Sequence, residues 1–326
     1  MKNTFSGSMA ALAANIIFGF SFLFSKIALQ VADPLIILAV RFTVAFLILT
    51  VMWLTGAVKM HFKGKPKRNI LLMAFAQPLF YFIFELYGIE YTSSAISGVI
   101  ISLVPVAVIL ISLLFLKEKP RPMQIFFSVL SLAAVVAISI LSNDGKENTL
   151  LGILLLLGAV VCAAVFNILS RSEAEHYSPF ERTYIMFLVG TVGFNLIALL
   201  GLGRNYVGAL TAAVAAPSFW GAIAYLSVLS SIGAFMLYNY ATSNISSVRA
   251  SSFSNIITVV AVLAGLVILR EQLSIPQLIC CCLIIIGVFG VNYEKKRHVS
   301  VAFLYRKERR NAIGLSPTCR QNTLQK

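Results

Sequence analysis

The chain has 326 residues, of which 59% are apolar and only 12% charged, with a formal net charge of +14 at pH 7 and a mean hydropathy of +0.90. So apolar a composition excludes a water-soluble fold, because soluble helices need a polar face and most helical-length stretches here are apolar all round. The positive charge does not indicate a nucleic-acid partner: nine of the 26 Lys and Arg follow Asn292, most others fall in short connections, and no basic and aromatic residues interleave as in a nucleic-acid groove.

Runs long enough to cross about 30 Å of hydrocarbon at about 1.5 Å per residue are expected ten times along the chain. The first, 6–29, has only Lys2 ahead of it and no small-residue cleavage site at its far end, so it is expected to be a membrane helix and not a signal peptide. The second, 34–55, opens on Pro34 and carries Arg41 about two turns from its end. The third, 69–89, holds Gln77, Tyr81 and Glu85 four residues apart, which places all three on one helix face. The fourth, 94–116, has Ser94, Gly98, Ser102 and Pro105 at spacings of four, four and three, and 122–141 forms the fifth. Then come 149–170 with Asn167, 179–200, 217–241 with Tyr238, 247–269 and 273–293. The ninth repeats the spacing of the fourth in Ser247, Ser251, Asn255 and Thr258.

The cations sort by side. With the N-terminus inside, 21 Lys and Arg fall in inward segments, Arg171 and Arg182 among them, and four (Lys26, Lys146, Arg204 and Arg270) in outward ones, so both termini are expected to be cytoplasmic in a multi-pass cell-membrane protein. The chain also repeats itself. Ser25, Lys26 and Pro34 match Ser170, Arg171 and Pro179 at an offset of 145, and Tyr87, Ser94, Glu118 and Gln124 match Tyr240, Ser247, Glu271 and Gln277 at 153. The expected fold class is therefore all-α integral membrane, with ten transmembrane helices in two inverted five-helix repeats, 1–143 and 144–293, and a basic cytoplasmic tail, 294–326.

The run from Pro34 to Arg41, the segment YTSSAISGVIISLVPV from Tyr91 to Val106, and the tripeptides Leu116–Glu118 and Leu269–Glu271 resemble the EamA group of the drug/metabolite transporter superfamily. The resemblance spans residues 6–293 and implies a ten-helix inverted-repeat carrier, often an exporter of amino acids or related metabolites. The chain departs from the group at Phe18, where Trp is common, and at Thr258, the second-half partner of Pro105.

An ionisable group inside the bilayer costs about 2.5–3.5 kcal/mol on insertion scales, so the few present ask for a reason. Glu85 is the one acidic residue within a helix. It is a candidate proton-coupling site, and Arg41 lies at a comparable depth, either to pair with it or to share a zwitterionic solute. Candidate solute-binding residues are Glu85, Tyr81, Gln77, Arg41, Ser102, Asn255, Ser251, Tyr238, Asn15 and Asn167. Lys26 and Arg171, near helix ends, are expected to snorkel. No phosphate-binding loop is present, the three His are dispersed, and four of the five Cys sit in apolar runs, so no cofactor, metal or disulfide framework is expected. The sequence points to a secondary carrier of a small neutral or zwitterionic solute, not an enzyme, with the bilayer and a coupling proton as partners. It leaves open an intramembrane enzyme or lipid-handling protein using Glu85 and Arg41, a passive channel, and a nucleotide-sugar or phosphate-ester exchanger.

Overall fold

A computed structural model of the chain describes residues 4–62, 64–116, 149–245, 250–270 and 274–292, with scattered positions between 123 and 137. Among them there is no strand. Seven helical stretches are long and apolar enough to cross a membrane: Thr4–Leu29, Pro34–Leu54, Arg68–Glu90, Ser94–Ile111, Leu150–Glu173, Pro179–Ala215 and Pro217–Asn244. Ile256–Val267 and Ile275–Gly287 are shorter apolar helices. The chain is therefore an all-α, multi-pass membrane protein. Most of the expected fifth run, Ser247, Glu118, Glu271, the side chain of Asn255 and the tail 294–326 lie outside the described residues.

Helix α1 (Thr4–Leu29) leads by a short turn to α2 (Pro34–Leu54). Asp33 starts α2: its carboxylate accepts from the Leu35 N–H at 2.8 Å, and Pro34 occupies the first helical position, where a missing N–H costs nothing. The third run is not the continuous helix its periodicity predicts. It divides into α3 (Arg68–Ala74), a π-helical segment Phe75–Phe80 and α4 (Tyr81–Glu90). Pro78 cannot donate to the ladder, and Gln77 leaves helical geometry at φ −148°, ψ 118°. The fourth run also breaks, into α5 (Ser94–Ile101) and α6 (Val104–Leu116), because Pro105 lacks the N–H that the Ile101 carbonyl would use.

In the second half of the chain α7 spans Leu150–Glu173 and α8 spans Pro179–Leu202. The start of α8 mirrors that of α2 with Ser178 before Pro179, and Ser178 and Glu181 form a reciprocal capping box. Gly203 then turns the chain at φ 51°. The following segment, expected to be a plain connection, contains helix α9 (Tyr206–Ala215). After it come α10 (Pro217–Ala224), a second π-helical segment Tyr225–Ala234, and α11 (Phe235–Asn244). A 3₁₀ turn, Ser252–Ser254, precedes α12 (Asn255–Val267), and α13 is Ile275–Asn292.

Helices from the two ends of the chain interleave: α2 packs on α8, α4 on α7, α5 on α12, and α1 on both α11 and α12. Small residues permit the closest approaches, as is usual where lipid removes the hydrophobic drive between helices. A Cβ added at Gly98 would lie 2.3 Å from the Ala261 Cβ, and one at Gly19 would lie 2.6 Å from the Val260 Cβ. These contacts bring α1, α5 and α12 around a shared interior.

Candidate functional site

A cavity of about 60 Å³ lies where α1, α4, α7 and α11 converge, with the α5–α6 break and the turn before α12 completing its wall. The π-helical segment ends just before Tyr81. The kink at Gln77 and Pro78 within it sets the angle at which α4 meets the cavity, and Gln77, Tyr81 and Glu85 all line it. Glu85 is buried, and its Oε1 accepts a hydrogen bond from the Tyr81 hydroxyl at 2.7 Å. Opposite, Asn167 accepts from the Tyr238 hydroxyl, and both line the cavity. Asn15 and Asn167 each donate one amide hydrogen to the carbonyl four residues earlier, Ala11 at 2.6 Å and Ala163 at 2.8 Å. Each amide is thus held upright on its helix with its carbonyl oxygen directed elsewhere.

Aromatic rings make up much of the remaining wall. Phe18 meets Phe235 edge-on with ring centroids 5.2 Å apart, and Phe166 lies 6.2 Å from the Tyr238 ring. Seven of the ten candidate residues therefore share this cavity: Asn15, Gln77, Tyr81, Glu85, Asn167, Tyr238 and Ser251.

Arg41 does not line it. Its guanidinium donates to Ser231 Oγ at 2.9 Å and Ser230 Oγ at 3.0 Å, and stacks 4.4 Å from the Phe82 ring centroid. Phe82 is itself a wall residue, so the cation stands behind the wall. Among the described residues the single ion pair is Lys65–Glu181, so Arg41 and Glu85 do not form the pair their similar depth suggested. The reason is local: the second π-helical segment offers Arg41 two serine hydroxyls, which satisfy it nearer than any carboxylate. Ser102 is also outside the cavity, its hydroxyl donating to Val99 O at 2.6 Å.

Ser254, which helical spacing passes over, lines the cavity, and its hydroxyl has no hydrogen-bond partner among the described residues. The 3₁₀ turn explains the change of register. Residues three apart eclipse in that geometry, which sets Ser254 on the face of Ser251.

Arg182 needs a larger correction. Counted among the inward cations at the start of the run 179–200, it is fully buried in the first turn of α8. Its two terminal nitrogens donate to Ser170 O and Oγ at 2.6 and 2.9 Å, Thr242 Oγ1 at 3.1 Å, Ser243 Oγ at 2.6 Å, and Asn239 O. Those groups sit near the C-terminal ends of α7 and α11, where unpaired carbonyls concentrate partial negative charge. Lys26 and Arg171 act similarly. Lys26 donates to Ile89 O and Thr92 O at 3.0 and 2.6 Å, and Arg171 to Thr242 O and Ser243 O at 2.8 and 3.1 Å.

Many apolar helices around an internal, largely apolar cavity that carries a few polar groups, together with the matches that follow, define the class: a multi-pass membrane transport protein, with a small solute and the surrounding lipid as its partners. The EamA-like transporter family model matches residues 5–140 and again 150–293, and the chain belongs to that family. It is 39% identical over 292 residues to "Uncharacterized transporter YcxC" of Bacillus subtilis (strain 168), covering 88% of this chain and 94% of that protein. An "Uncharacterized transporter" of Archaeoglobus fulgidus is 26% identical over 290 residues, covering 86% and 96%. A solved structure described as "Crystal structure of protein" shares the fold, with a TM-score of 0.60 and 18% identity over 93% of this chain and 99% of that one.

Proposed function

We propose that the chain is a secondary carrier that exports small amine-bearing metabolites, amino acids foremost, by alternating access to the cavity at Glu85. The observation that carries this is the charge of the wall: one carboxylate, amides, hydroxyls and aromatic faces, with no Lys or Arg among the described lining residues. An ammonium group suits such a wall, since a carboxylate and ring faces both attract it. Any solute carboxylate would turn to the hydroxyl and amide donors. The described lining offers a phosphate ester or nucleotide sugar no Lys or Arg, and Arg41 donates to Ser230 and Ser231 behind the wall, which favours the amine-bearing solute over those alternatives.

The proposed architecture is ten membrane spans in two inverted halves, 1–143 and 144–293, with both termini and the tail 294–326 in the cytoplasm and Glu85 carrying the coupling proton. The paired contacts support it. Lys26 and Arg171, matched at an offset of 145, each hold the C-terminal carbonyls of the helix two spans further on. Saturable counterflow of labelled amino acids in proteoliposomes tests the function, with substrates first chosen by the stabilisation each gives the purified protein. Flux that neither saturates nor shows counterflow makes the protein a channel and overturns the carrier proposal.

A further inference from the structure

A second cavity, about 250 Å³, opens well away from Glu85, between the beginning of α3 and the first turns of α8. Ile70 and Leu71 of α3 and Tyr184, Ile185 and Leu188 of α8 line it, together with Phe62, Tyr177 and Lys67, the residue before α3. Leu71 and Leu188 are 42% and 41% exposed on the outer surface of the bundle, so the crevice opens sideways toward lipid. Its rim is tied in place. The Glu181 carboxylate accepts from the His61 N–H at 2.6 Å and from Lys65 Nζ at 2.7 Å, and the Tyr177 hydroxyl donates to Pro66 O at 3.0 Å.

Glu181 neutralises Lys65. Lys67 and Arg68 remain exposed, and neither joins an ion pair among the described residues. Because Arg68 begins a membrane-spanning stretch, both cations lie at the level of lipid headgroups. An apolar slot continuing into the bilayer beneath two unneutralised cations matches one chemistry, an acyl chain carrying a phosphate. Inorganic phosphate would leave the slot unfilled, and a zwitterionic headgroup would bring its own cation to Lys67 and Arg68.

We propose that this crevice binds one anionic glycerophospholipid, with an acyl chain between α3 and α8 and the phosphate at Lys67 and Arg68. Such a lipid would wedge a helix from each end of the chain together. The site stands on membrane residence alone and is independent of what the Glu85 cavity carries.

The test uses the purified full chain in neutral detergent, titrated with phosphatidylglycerol, with phosphatidylcholine of the same acyl chains, and with inorganic phosphate. Phosphatidylglycerol should raise the melting temperature saturably, and native mass spectrometry should retain one such lipid per chain. Each Lys or Arg near an anionic surface contributes about fivefold in affinity, so Lys67→Gln/Arg68→Gln should raise the half-saturating lipid concentration about 25-fold. Leu71→Trp, which fills the slot, should abolish retention, while Lys59→Gln should leave it unchanged. An equal response to phosphatidylcholine, an equal response to phosphate alone, or an unchanged response in the double variant each overturns the proposal. Retention of lipid in the mass spectrum is read independently of melting, so a variant of lower intrinsic stability still decides the matter.

Discussion

Glu85→Gln separates the charge of the proposed solute site from its shape. The amide keeps a carbonyl oxygen for the Tyr81 hydroxyl, which donates to Glu85 at 2.7 Å, and the side-chain volume is nearly unchanged. What disappears is the one negative charge on a wall whose described residues include no Lys or Arg. For a solute ammonium about 4 Å away, an effective dielectric constant of about 20 sets a ceiling near 4 kcal/mol. The net loss is smaller, because a hydrogen bond to a charged group exceeds a neutral one by about 1–2 kcal/mol. The expected result is therefore solute binding weakened roughly 5- to 30-fold, with a melting temperature close to that of the wild type. If Glu85 carries the coupling proton, the variant should also lose dependence of net transport on an imposed proton gradient while retaining some exchange. The assay is counterflow and gradient-driven uptake in proteoliposomes across a range of pH, with thermal unfolding as the control for folding. Wild-type affinity together with a wild-type response to the gradient would refute both roles. Loss of affinity with coupling intact would refute the proton role alone.

Gly98→Ala should lower stability by about 1–3 kcal/mol through overpacking, because the new Cβ falls 2.3 Å from that of Ala261, and Ala261→Gly in the same chain should restore most of it in thermal unfolding. Tyr238→Phe removes the donor to Asn167 Oδ1 and should cost about 1–3 kcal/mol, with a double-mutant cycle against Asn167→Ala showing the two changes to be non-additive. Arg182→Met removes the guanidinium donors to Ser170 O, Asn239 O and the hydroxyls of α7 and α11, so it should destabilise by about 1–3 kcal/mol after the relief of burying a cation is counted; Arg182→Lys, bridging fewer of those groups, should fall between the wild type and Arg182→Met. Under the inverted repeat, Lys26→Gln should increase cysteine labelling of nearby positions from one side of the membrane and Arg171→Gln from the other; labelling changes on the same side for both would contradict the inversion.

The membrane class was legible because lipid demands long apolar stretches, and seven helical stretches long and apolar enough to cross are present among the described residues. What sequence spacing missed lies where the backbone departs from 3.6 residues per turn. Gln77, Tyr81 and Glu85 were placed on one helical face, yet Gln77 reaches the cavity from an extended backbone beside Pro78. Ser254 was skipped because a 3₁₀ turn, not an α-helix, carries it. Pro105 marked the break between α5 and α6, so that signal was available in the sequence. The partners of the two buried guanidinium groups were not legible, because Arg41 and Arg182 donate to hydroxyls and helix-end carbonyls that only the packing brings together.

Under the proposed two-half repeat, the offset of 153 that would relate the later parts of the halves accounts for a one-sided pocket. Gln77 corresponds to Ser230, and Glu85 to Tyr238. Two identical walls would present two carboxylates facing each other in a medium of low dielectric, an arrangement whose repulsion forces one of them to stay protonated. Here the second copy supplies a neutral phenol instead, and that phenol is already committed to Asn167. The position matching Gln77 has turned outward in function, since the Ser230 hydroxyl accepts from Arg41 behind Phe82. The first-half wall therefore keeps the negative charge, while a second-half residue holds the positive one out of the cavity. In the proposed carrier, an amine-bearing solute entering between them would meet an acid on one side and neutral hydroxyls, amides and rings on the other, an asymmetry that would orient its ammonium toward α4.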